Sequence, residues 1–274
     1  MVPDPALNPH AFDAAVALVA QPDGAWLGHT SPAYANMVGP YGGITAAQAL
    51  TAVLRHPQLL GEPVSLTVNF AAALVSGPFV IRVHPARTNR STQHWVIEML
   101  QDGQTVLTGT ALTAVRRDTW SLDDKAMPAC PGPADVPRRQ LPLPMEWINR
   151  YEMRPVTGAL TTVWDGSGDN SLSQHWMRDD PPRALDFASL TAISDQFFPS
   201  VWRRRAKHVP AGTVSMTVYF HASAPQLRAT GTGYLLGQAR AQAFRNGYFD
   251  QTAQLWNEDG ELLATTHQIV YYKE

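Results

Sequence analysis

The chain has 274 residues, a formal net charge of −2 and 16% charged residues, with a sequence pI of about 6.5. This balance gives no electrostatic preference for nucleic acid or for an anionic membrane. No run of about 18 apolar residues is present to span a bilayer, and the start MVPDPALNPHAF lacks the basic region of a secretory signal, so a cytoplasmic protein is expected.

The first predicted elements along the chain are a helix and a group of antiparallel strands. In GGITAAQALTAVLRH, apolar residues recur three and four positions apart, which predicts a helix over 42–56. The β-rich runs VSLTVNF and FVIRVHPA follow it. The dipeptide at 102–103, Asp-Gly, then lies between two alternating apolar runs. It predicts a long hairpin, because Asp and Gly tolerate the positive φ of a tight turn.

A proline-rich segment separates this region from a second one. Residues 118–144 are rich in proline and charge and show no periodicity, which is typical of a linker. The single cysteine of the chain, Cys130, lies in this segment, so no disulfide can form within the chain.

The second region repeats the order of elements of the first. The run ALDFASLTAISDQFFPSVW predicts a helix over 184–202, and the runs TVSMTVYF and TGTGYLLGQARAQAF predict strands. A second Asp-Gly turn at 259–260 leads into the last predicted strand, within DGELLATTHQIVYYKE.

Self-alignment indicates that the two regions are copies of one unit. SMTVYFHAS aligns with SLTVNFAAA, pairing Phe220 with Phe70 at an offset of 150, and the second Asp-Gly turn aligns with the first at an offset of 157. In each unit one helix must cover the single buried face of an antiparallel sheet. We therefore predict an α+β protein of two fused helix-plus-sheet units, 1–117 and 145–274, joined by the linker 118–144. Edge-to-edge pairing would form one continuous sheet and hide the open edge strands.

The copies differ at three positions, where the second copy carries an acid, a hydroxyl and an amide. With their counterparts at these offsets, they are Asp195 against Thr45, Thr213 against Pro63, and Gln268 against Ala111. An acid can accept a proton from water, and a hydroxyl and an amide can orient that water. Taken singly, each also has an ordinary structural interpretation: a solvated helix face, β-propensity, or an exposed edge strand.

The first copy offers a complementary feature in VGPYGGITAAQAL. Gly42 and Gly43 precede the predicted helix, where unpaired backbone N–H groups and the positive end of the helix dipole can receive an oxyanion or a substrate carbonyl. Without Cβ atoms, the two glycines also allow a ligand to approach the backbone. A plain turn before a helix is the alternative interpretation.

Together these motifs resemble the acyl-CoA thioesterase II family, whose members are double hotdog proteins. GPYGG opens a helix in the first copy, and SDQFF, GTVSMTVYFH and LLATTHQ follow in order in the second. The resemblance covers nearly the whole chain and is weakest at the N-terminus and in the linker. It implies a thioester hydrolase of fatty acid metabolism in which Asp195, Thr213 and Gln268 hold the attacking water. A thioester is already activated toward water, so no covalent intermediate is expected.

The resemblance also implies where the parts of an acyl-CoA would bind. A medium-chain or related acyl group is expected to lie between helix and sheet near Tyr41, Phe197 and Phe198, with its carbonyl at the two glycines. Candidate contacts for the coenzyme A phosphates are Arg87, Arg90, Arg203, Arg204 and Arg205. The basic run at 201–208 can also be read as a solvated face.

Coenzyme A is expected only as part of the substrate, with no other cofactor and no metal. The nine histidines are scattered without the spacing of metal ligands. A homodimer or higher homo-oligomer is expected, with a small-molecule acyl-CoA as the partner.

Two other functions stay open at this stage. A hotdog protein could bind acyl-CoA or another apolar ligand without hydrolysing it, although binding alone does not require a water-orienting trio. A hotdog hydratase acting on enoyl-CoA would pair an Asp with a His in one short motif, and no such His lies near Asp195.

Overall fold

The fold is built on one antiparallel sheet of 13 strands. The computed structural model of the chain describes residues 9–139, 143–161 and 163–274. Within these ranges, no helix is long and apolar enough to cross a membrane. The predicted α+β class and the single continuous sheet are confirmed.

The first copy runs from a short helix to a long hairpin. Its elements are α1 (Ala11–Ala15), β1 (Val19–Ala20), β2 (Trp26–His29), a 3-10 helix (Pro32–Tyr34), α2 (Gly42–Leu54), β3 (Glu62–Phe70), β4 (Pro78–Thr88), β5 (Thr92–Gln101) and β6 (Gln104–Ala114). The turn between β5 and β6 is the predicted one, with positive φ at both Asp102 and Gly103. The predicted first helix is confirmed, and it ends two residues earlier than expected.

The second copy follows the same plan with additional elements. They are two 3-10 helices (Pro133–Asp135 and Glu146–Arg150), β7 (Tyr151–Thr157), β8 (Ser173–Asp179), α3 (Phe187–Ile193), α4 (Ser200–Arg205), β9 (Ala211–Phe220), α5 (Ala224–Thr230), β10 (Leu235–Arg240), β11 (Phe244–Arg245), β12 (Tyr248–Asn257) and β13 (Leu262–Tyr272). The outer strands β1, β2, β7 and β8 were not predicted, because no clear alternation bounded by turn residues marks them.

The prediction of one helix over 184–202 is wrong, because the chain leaves the helix at Ser194 and resumes it at Ser200. The Ser194 hydroxyl bonds back to the carbonyl of Leu190 at 2.7 Å, which ends the first piece. Pro199 cannot donate a backbone hydrogen bond and disfavours helical geometry at the residue before it. Residues 194–199 therefore form a non-helical break between α3 and α4, which begins with a turn at Ser194 and Asp195.

The repeat predicted from the sequence is confirmed by the strand register. At the seam between the copies β3 pairs with β9, and Thr67 lies opposite Thr217 with their hydroxyl oxygens 3.0 Å apart. These two threonines are related by the offset of 150. Ala111 of β6 pairs with Leu66 of β3, and Gln268 of β13 pairs with Met216 of β9. Gln268 and Ala111 are related by the offset of 157, and Met216 and Leu66 by the offset of 150.

The offset does not hold for the helices, so the pairing of Asp195 with Thr45 is wrong. Thr45 lies in the first turn of α2, whereas Asp195 lies two residues beyond the end of α3. Both helices carry Leu-Thr-Ala in their last turns, and Thr51 and Thr191 each bond to the carbonyl four residues earlier. Aligning these turns pairs Asp195 with Arg55.

The two central helices lie side by side on one face of the sheet. α2 packs against α3 and against β4, β5 and β6. Residues 43–53 are all buried, as expected for a helix that is covered on every side. The linker crosses the second copy, where Trp176 donates to the carbonyl of Pro131 at 2.9 Å and Trp256 to that of Lys125 at 3.2 Å.

The boundaries 1–117, 118–144 and 145–274 stay a prediction. Residues 1–8 of the first predicted unit and 140–142 of the predicted linker lie outside the described residues.

Candidate active site

Three side chains that the sequence singled out meet in one hydrogen-bonded row. Thr213 Oγ1 donates to Gln268 Oε1 at 3.1 Å, and Gln268 Nε2 donates to Asp195 Oδ1 at 2.9 Å. The amide of Gln268 is therefore oriented at both ends, with its oxygen toward the hydroxyl and its nitrogen toward the acid.

Strand alternation points the glutamine into the protein. Gln268 is 3% exposed, whereas His267 before it is exposed on the opposite face, with Nε2 3.7 Å from Asp250. β13 lies between β9 and β12 and is not an edge strand. The alternative interpretation of Gln268 as an exposed edge residue is therefore wrong.

The acid, Asp195, lies at the contact between the two copies. Asp195 follows the end of α3, and its backbone N–H donates to the carbonyl of Ala192 at 3.2 Å. A Cβ on Gly42 would lie 2.9 Å from Asp195 Oδ2, and one on Gly43 would lie 2.5 Å from the carbonyl oxygen of Ala192. Only glycine allows the start of α2 to approach the end of α3 this closely.

Burial controls the charge of this acid. Removal from water raises the pKa of the Asp195 carboxyl to about 7, against a smaller opposing effect of hydrogen bonds from Gln268 and from the backbone N–H of Gly43. A carboxylate with a pKa near neutrality can accept a proton and release it again under ordinary conditions.

The row opens into a cavity of about 600 Å³ between the two copies. Asp195, Thr213 and Gln268 lie in its wall together with Gly42, which contributes backbone because it has no side chain. Ring side chains from both copies form one side of it, and we call them the aromatic wall: Tyr41, Trp147, Phe198, Trp202 and His208. A cavity with a few convergent polar groups in an otherwise apolar lining is typical of a small-molecule site.

The aromatic wall is a continuous row of contacts. Tyr41 stacks on Trp147 with ring centroids 4.4 Å apart, Trp147 lies 6.0 Å from Phe198, and Phe198 stacks on Trp202 at 6.4 Å. His208 lies 4.5 Å beyond Trp202. The row extends from the acid to the exposed ring of His208.

The hydroxyl of Tyr41 does not face the cavity as a free group. It donates to the carbonyl of Ala192 at 2.6 Å, across the boundary between the copies, and burial raises its pKa well above the usual value. Tyr41 therefore contributes its ring to the cavity and its hydroxyl to the turn that carries Asp195. Of the two predicted phenylalanines, Phe198 is half-buried beside the cavity, and Phe197 is 6% exposed.

The structure does not bring the arginines of the first copy to the cavity. Arg87 and Arg90 are exposed at the hairpin between β4 and β5. This hairpin adjoins the Glu62 end of β3, whereas Phe70 at the other end lines the cavity. The length of β3 separates the two by about 25 Å.

The arginines that follow Trp202 on α4 are not among the residues that line the cavity, and each already has a partner. Arg203 bonds to Asn170 at 3.0 Å and Arg204 to the carbonyl of Gly168 at 3.0 Å. Arg205 pairs with the carboxylate of Glu274. Of the three, only Arg204 is exposed.

Sequence reasoning missed two contributors to the site. Trp147 lies in a 3-10 helix without a periodic pattern, beside the linker. Gln251 on β12 bonds to the break between α3 and α4, and only its position on a strand adjoining that of Gln268 could have indicated it. Over the described part of the chain, no group of three or more His, Cys, Asp and Glu side chains could hold a metal ion.

Family models cover most of the chain. Residues 31–114 match the model of the acyl-CoA thioesterase N-terminal domain, and residues 125–272 match that of the acyl-CoA thioesterase C-terminal domain. The comparison with curated protein sequences gives no match.

Solved structures give the same fold. A conserved protein of unknown function with a hot dog fold from Alicyclobacillus acidocaldarius is 48% identical, with a TM-score of 0.92 over 97% of this chain and 99% of that one. An acyl-CoA thioesterase II from Mycobacterium marinum is 21% identical, with a TM-score of 0.78 over 96% and 98%. The dehydratase domain of PpsC from Mycobacterium tuberculosis, solved in complex with C12:1-CoA, is 10% identical with a TM-score of 0.55 over 97% and 100%.

The predicted double hotdog arrangement is thus confirmed by the strand order and by these neighbours. With family models matching both halves in order, the chain belongs to the acyl-CoA thioesterase family.

Proposed function

We propose that this protein hydrolyses acyl-CoA thioesters by direct attack of water, without a covalent intermediate. The observation that carries the proposal is the row of hydrogen bonds from Thr213 through Gln268 to Asp195, which ends at a half-buried acid in the wall of a large cavity. Family membership supports an acyl-CoA as the substrate.

In the proposed reaction, the Asp195 carboxylate accepts a proton from a water molecule as its oxygen adds to the thioester carbonyl carbon. Thr213 and Gln268 hold this water by hydrogen bonds. The C–S bond of the tetrahedral intermediate then breaks, and the coenzyme A sulfur leaves with the proton that Asp195 returns. The products are a carboxylic acid and a free thiol.

The developing oxyanion would lie at the start of α2. Gly42 lines the cavity with backbone atoms, and the first N–H groups of a helix have no partner within it. The N–H of Gly43 lowers the pKa of the Asp195 carboxyl and so favours its charged form. Gly43 is therefore assigned to the acid and not to the oxyanion.

The size of the cavity supports a small-molecule substrate, and we propose an acyl group of medium length. A volume of about 600 Å³ lies within the usual range for pockets that enclose most of a small ligand, roughly 300–1,000 Å³. For the coenzyme A phosphates, the exposed Arg204, two residues after Trp202 in the chain, is the favoured contact, with Arg203 and Arg205 as secondary contacts.

The test is release of free thiol from a panel of acyl-CoAs by the purified protein, compared with Asp195→Asn. This variant keeps the shape of the side chain but cannot accept the proton, and loss of a general base lowers the rate by about 100- to 10,000-fold. Asp259→Asn, in the exposed turn before β13, is the matched control. Full activity of Asp195→Asn would show that another group is the base.

The same assay separates the alternatives. Tight binding of acyl-CoA without thiol release by the wild-type chain would support a binding protein, and consumption of enoyl-CoA without thiol release would support a hydratase. The cytoplasmic location and a homodimer or higher homo-oligomer stay predictions, and light scattering during size-exclusion chromatography would measure the assembly.

A further inference from the structure

A second, smaller cavity lies beyond the catalytic one, on the same side of the sheet. It has a volume of about 40 Å³, and its sheet wall is formed by Met153 and Pro155 on β7 and by Ser173 and His175 on β8. The strand order from Gln268 to this wall is β13, β12, β10, β8. Three strand spacings place the two sites about 14 Å apart.

Phe198 and Pro199 separate the two cavities, since both residues line both of them. They belong to the break between α3 and α4, where no helix covers the sheet. The ring of Phe198 stands in the aromatic wall of the catalytic cavity, between Trp147 and Trp202. The Phe198 side chain and Pro199 are thus the barrier between the two cavities.

One residue of the sheet, Gln251, bonds to the chain on both sides of Phe198 and Pro199. Gln251 Oε1 accepts from the backbone N–H of Ser200 at 3.0 Å and from its hydroxyl at 2.7 Å. Gln251 Nε2 donates to the carbonyl of Phe197 at 3.4 Å. These bonds fix the barrier over β12.

The neighbouring Phe197 lines the catalytic cavity but not the smaller one, and its ring packs on the sheet. A Cβ on Gly237 of β10 would lie 2.7 Å from the Phe197 ring, so this ring rests directly on the strand backbone. Phe198, in contrast, is half-buried and faces open space on both sides.

We propose that Phe198 sets the acyl chain length by closing the passage from the catalytic cavity to the cavity at β7 and β8. The proposal rests on the proposed acyl-CoA hydrolysis and names its length determinant. An acyl chain that passes Phe198 would meet mostly apolar walls and the His175 ring, which burial keeps neutral by lowering its pKa to about 4. Arg139 and Arg203 also line this cavity, and the Arg203 guanidinium donates to Asn170 at 3.0 Å.

The test is the profile of kcat/KM over octanoyl-, dodecanoyl- and hexadecanoyl-CoA. Phe198→Ala should raise the ratio of dodecanoyl- or hexadecanoyl-CoA to octanoyl-CoA by about tenfold, because burying each additional methylene changes an equilibrium about fourfold. Phe198→Trp should lower the ratio. Adding Ser173→Phe to Phe198→Ala fills the second cavity from its far wall and should return the ratio toward the wild-type value.

Circular dichroism and thermal melting check that the variants fold, and Phe198→Leu replaces Phe198→Ala if the latter does not. Affinities of S-octyl- and S-dodecyl-CoA thioethers, measured by calorimetry, give the same comparison without turnover. An unchanged length profile in a folded, active variant would overturn the role of Phe198. Absence of thiol release from every acyl-CoA by the wild-type chain would instead overturn the proposed function.

Discussion

At the scale of single residues, the chemistry depends on the pKa of the Asp195 carboxyl, which lies near 7. Burial raises the pKa of its carboxyl to about 7, and the donors at Gln268 and Gly43 oppose that rise. The proposed base needs the ionised form. We therefore expect kcat/KM for octanoyl-CoA to increase with pH through a midpoint near 7 and to level off at higher pH, as measured in a series of buffers at constant ionic strength.

Removing the amide partner should move this midpoint. In Gln268→Ala, Asp195 loses a hydrogen bond that favours its charged form, so the pKa should rise and the midpoint of the kcat/KM profile should move to higher pH. The matched control is Gln254→Ala, because Gln254 lies on the neighbouring strand β12 and bonds to Gln238 away from the acid. An unchanged midpoint in Gln268→Ala would remove Gln268 from the environment of the base.

At the scale of elements, the site exists because α3 stops early and α2 starts against its end. The carbonyl of Ala192, in the last turn of α3, receives the hydroxyl of Tyr41 at 2.6 Å and the N–H of Asp195 at 3.2 Å. One carbonyl thereby links the start of the first copy's helix to the acid of the second. Tyr41 is a positioning residue by its hydroxyl as well as a wall of the cavity by its ring.

Deleting that hydroxyl should lower turnover more than binding. A neutral hydrogen bond contributes about 1 kcal/mol, so Tyr41→Phe should reduce kcat about fivefold with a smaller change in KM. Tyr219→Phe, on an exposed tyrosine of β9, is the control. A change confined to KM would indicate that the hydroxyl contacts the substrate instead.

At the scale of the whole molecule, duplication supplies the fold twice and the polar trio once. The positions equivalent to Thr213 and Gln268 in the first copy hold Pro63 and Ala111, which can neither donate nor accept through a side chain. The first copy instead contributes α2, whose glycine start faces the acid. Each half thus provides a different part of one site.

A half-buried acid with a raised pKa also affects the stability of the entire chain. Below pH 4 the carboxyl of Asp195 is protonated in the folded and unfolded states alike. As pH rises from about 4 to about 7, it ionises in the unfolded chain first, so its contribution to folding becomes unfavourable. Asp195→Asn lacks this titration.

The free energy of unfolding of Asp195→Asn, relative to wild type, should therefore increase between pH 4 and pH 7 and stay constant above, by up to about 4 kcal/mol. Urea denaturation at several pH values measures the difference. Asp179, whose pKa burial likewise raises to about 7, is common to both proteins and cancels. A difference that is independent of pH would show that Asp195 titrates normally in the folded state.

Much of the fold could be predicted because its causes are local or periodic. Both Asp-Gly turns and the helix at α2 depend on residues that are close in the chain. The repeat offsets then related the two copies without knowledge of a single contact.

What the tertiary structure alone decided involves residues far apart in the chain. The break at 194–199 is an exception, because Pro199 is a local signal that the apolar periodicity on either side concealed. Charge alone could not distinguish Arg90, which lies at the end of a hairpin far from the cavity, from Arg204, which follows Trp202 of the aromatic wall in the chain. The sequence by itself determined the repeated unit and the polar side chains that differ between its copies, because turns and periodicity act over short stretches. Only the packing of α2 against α3 decided that these side chains face one cavity, because that contact joins residues about 150 positions apart.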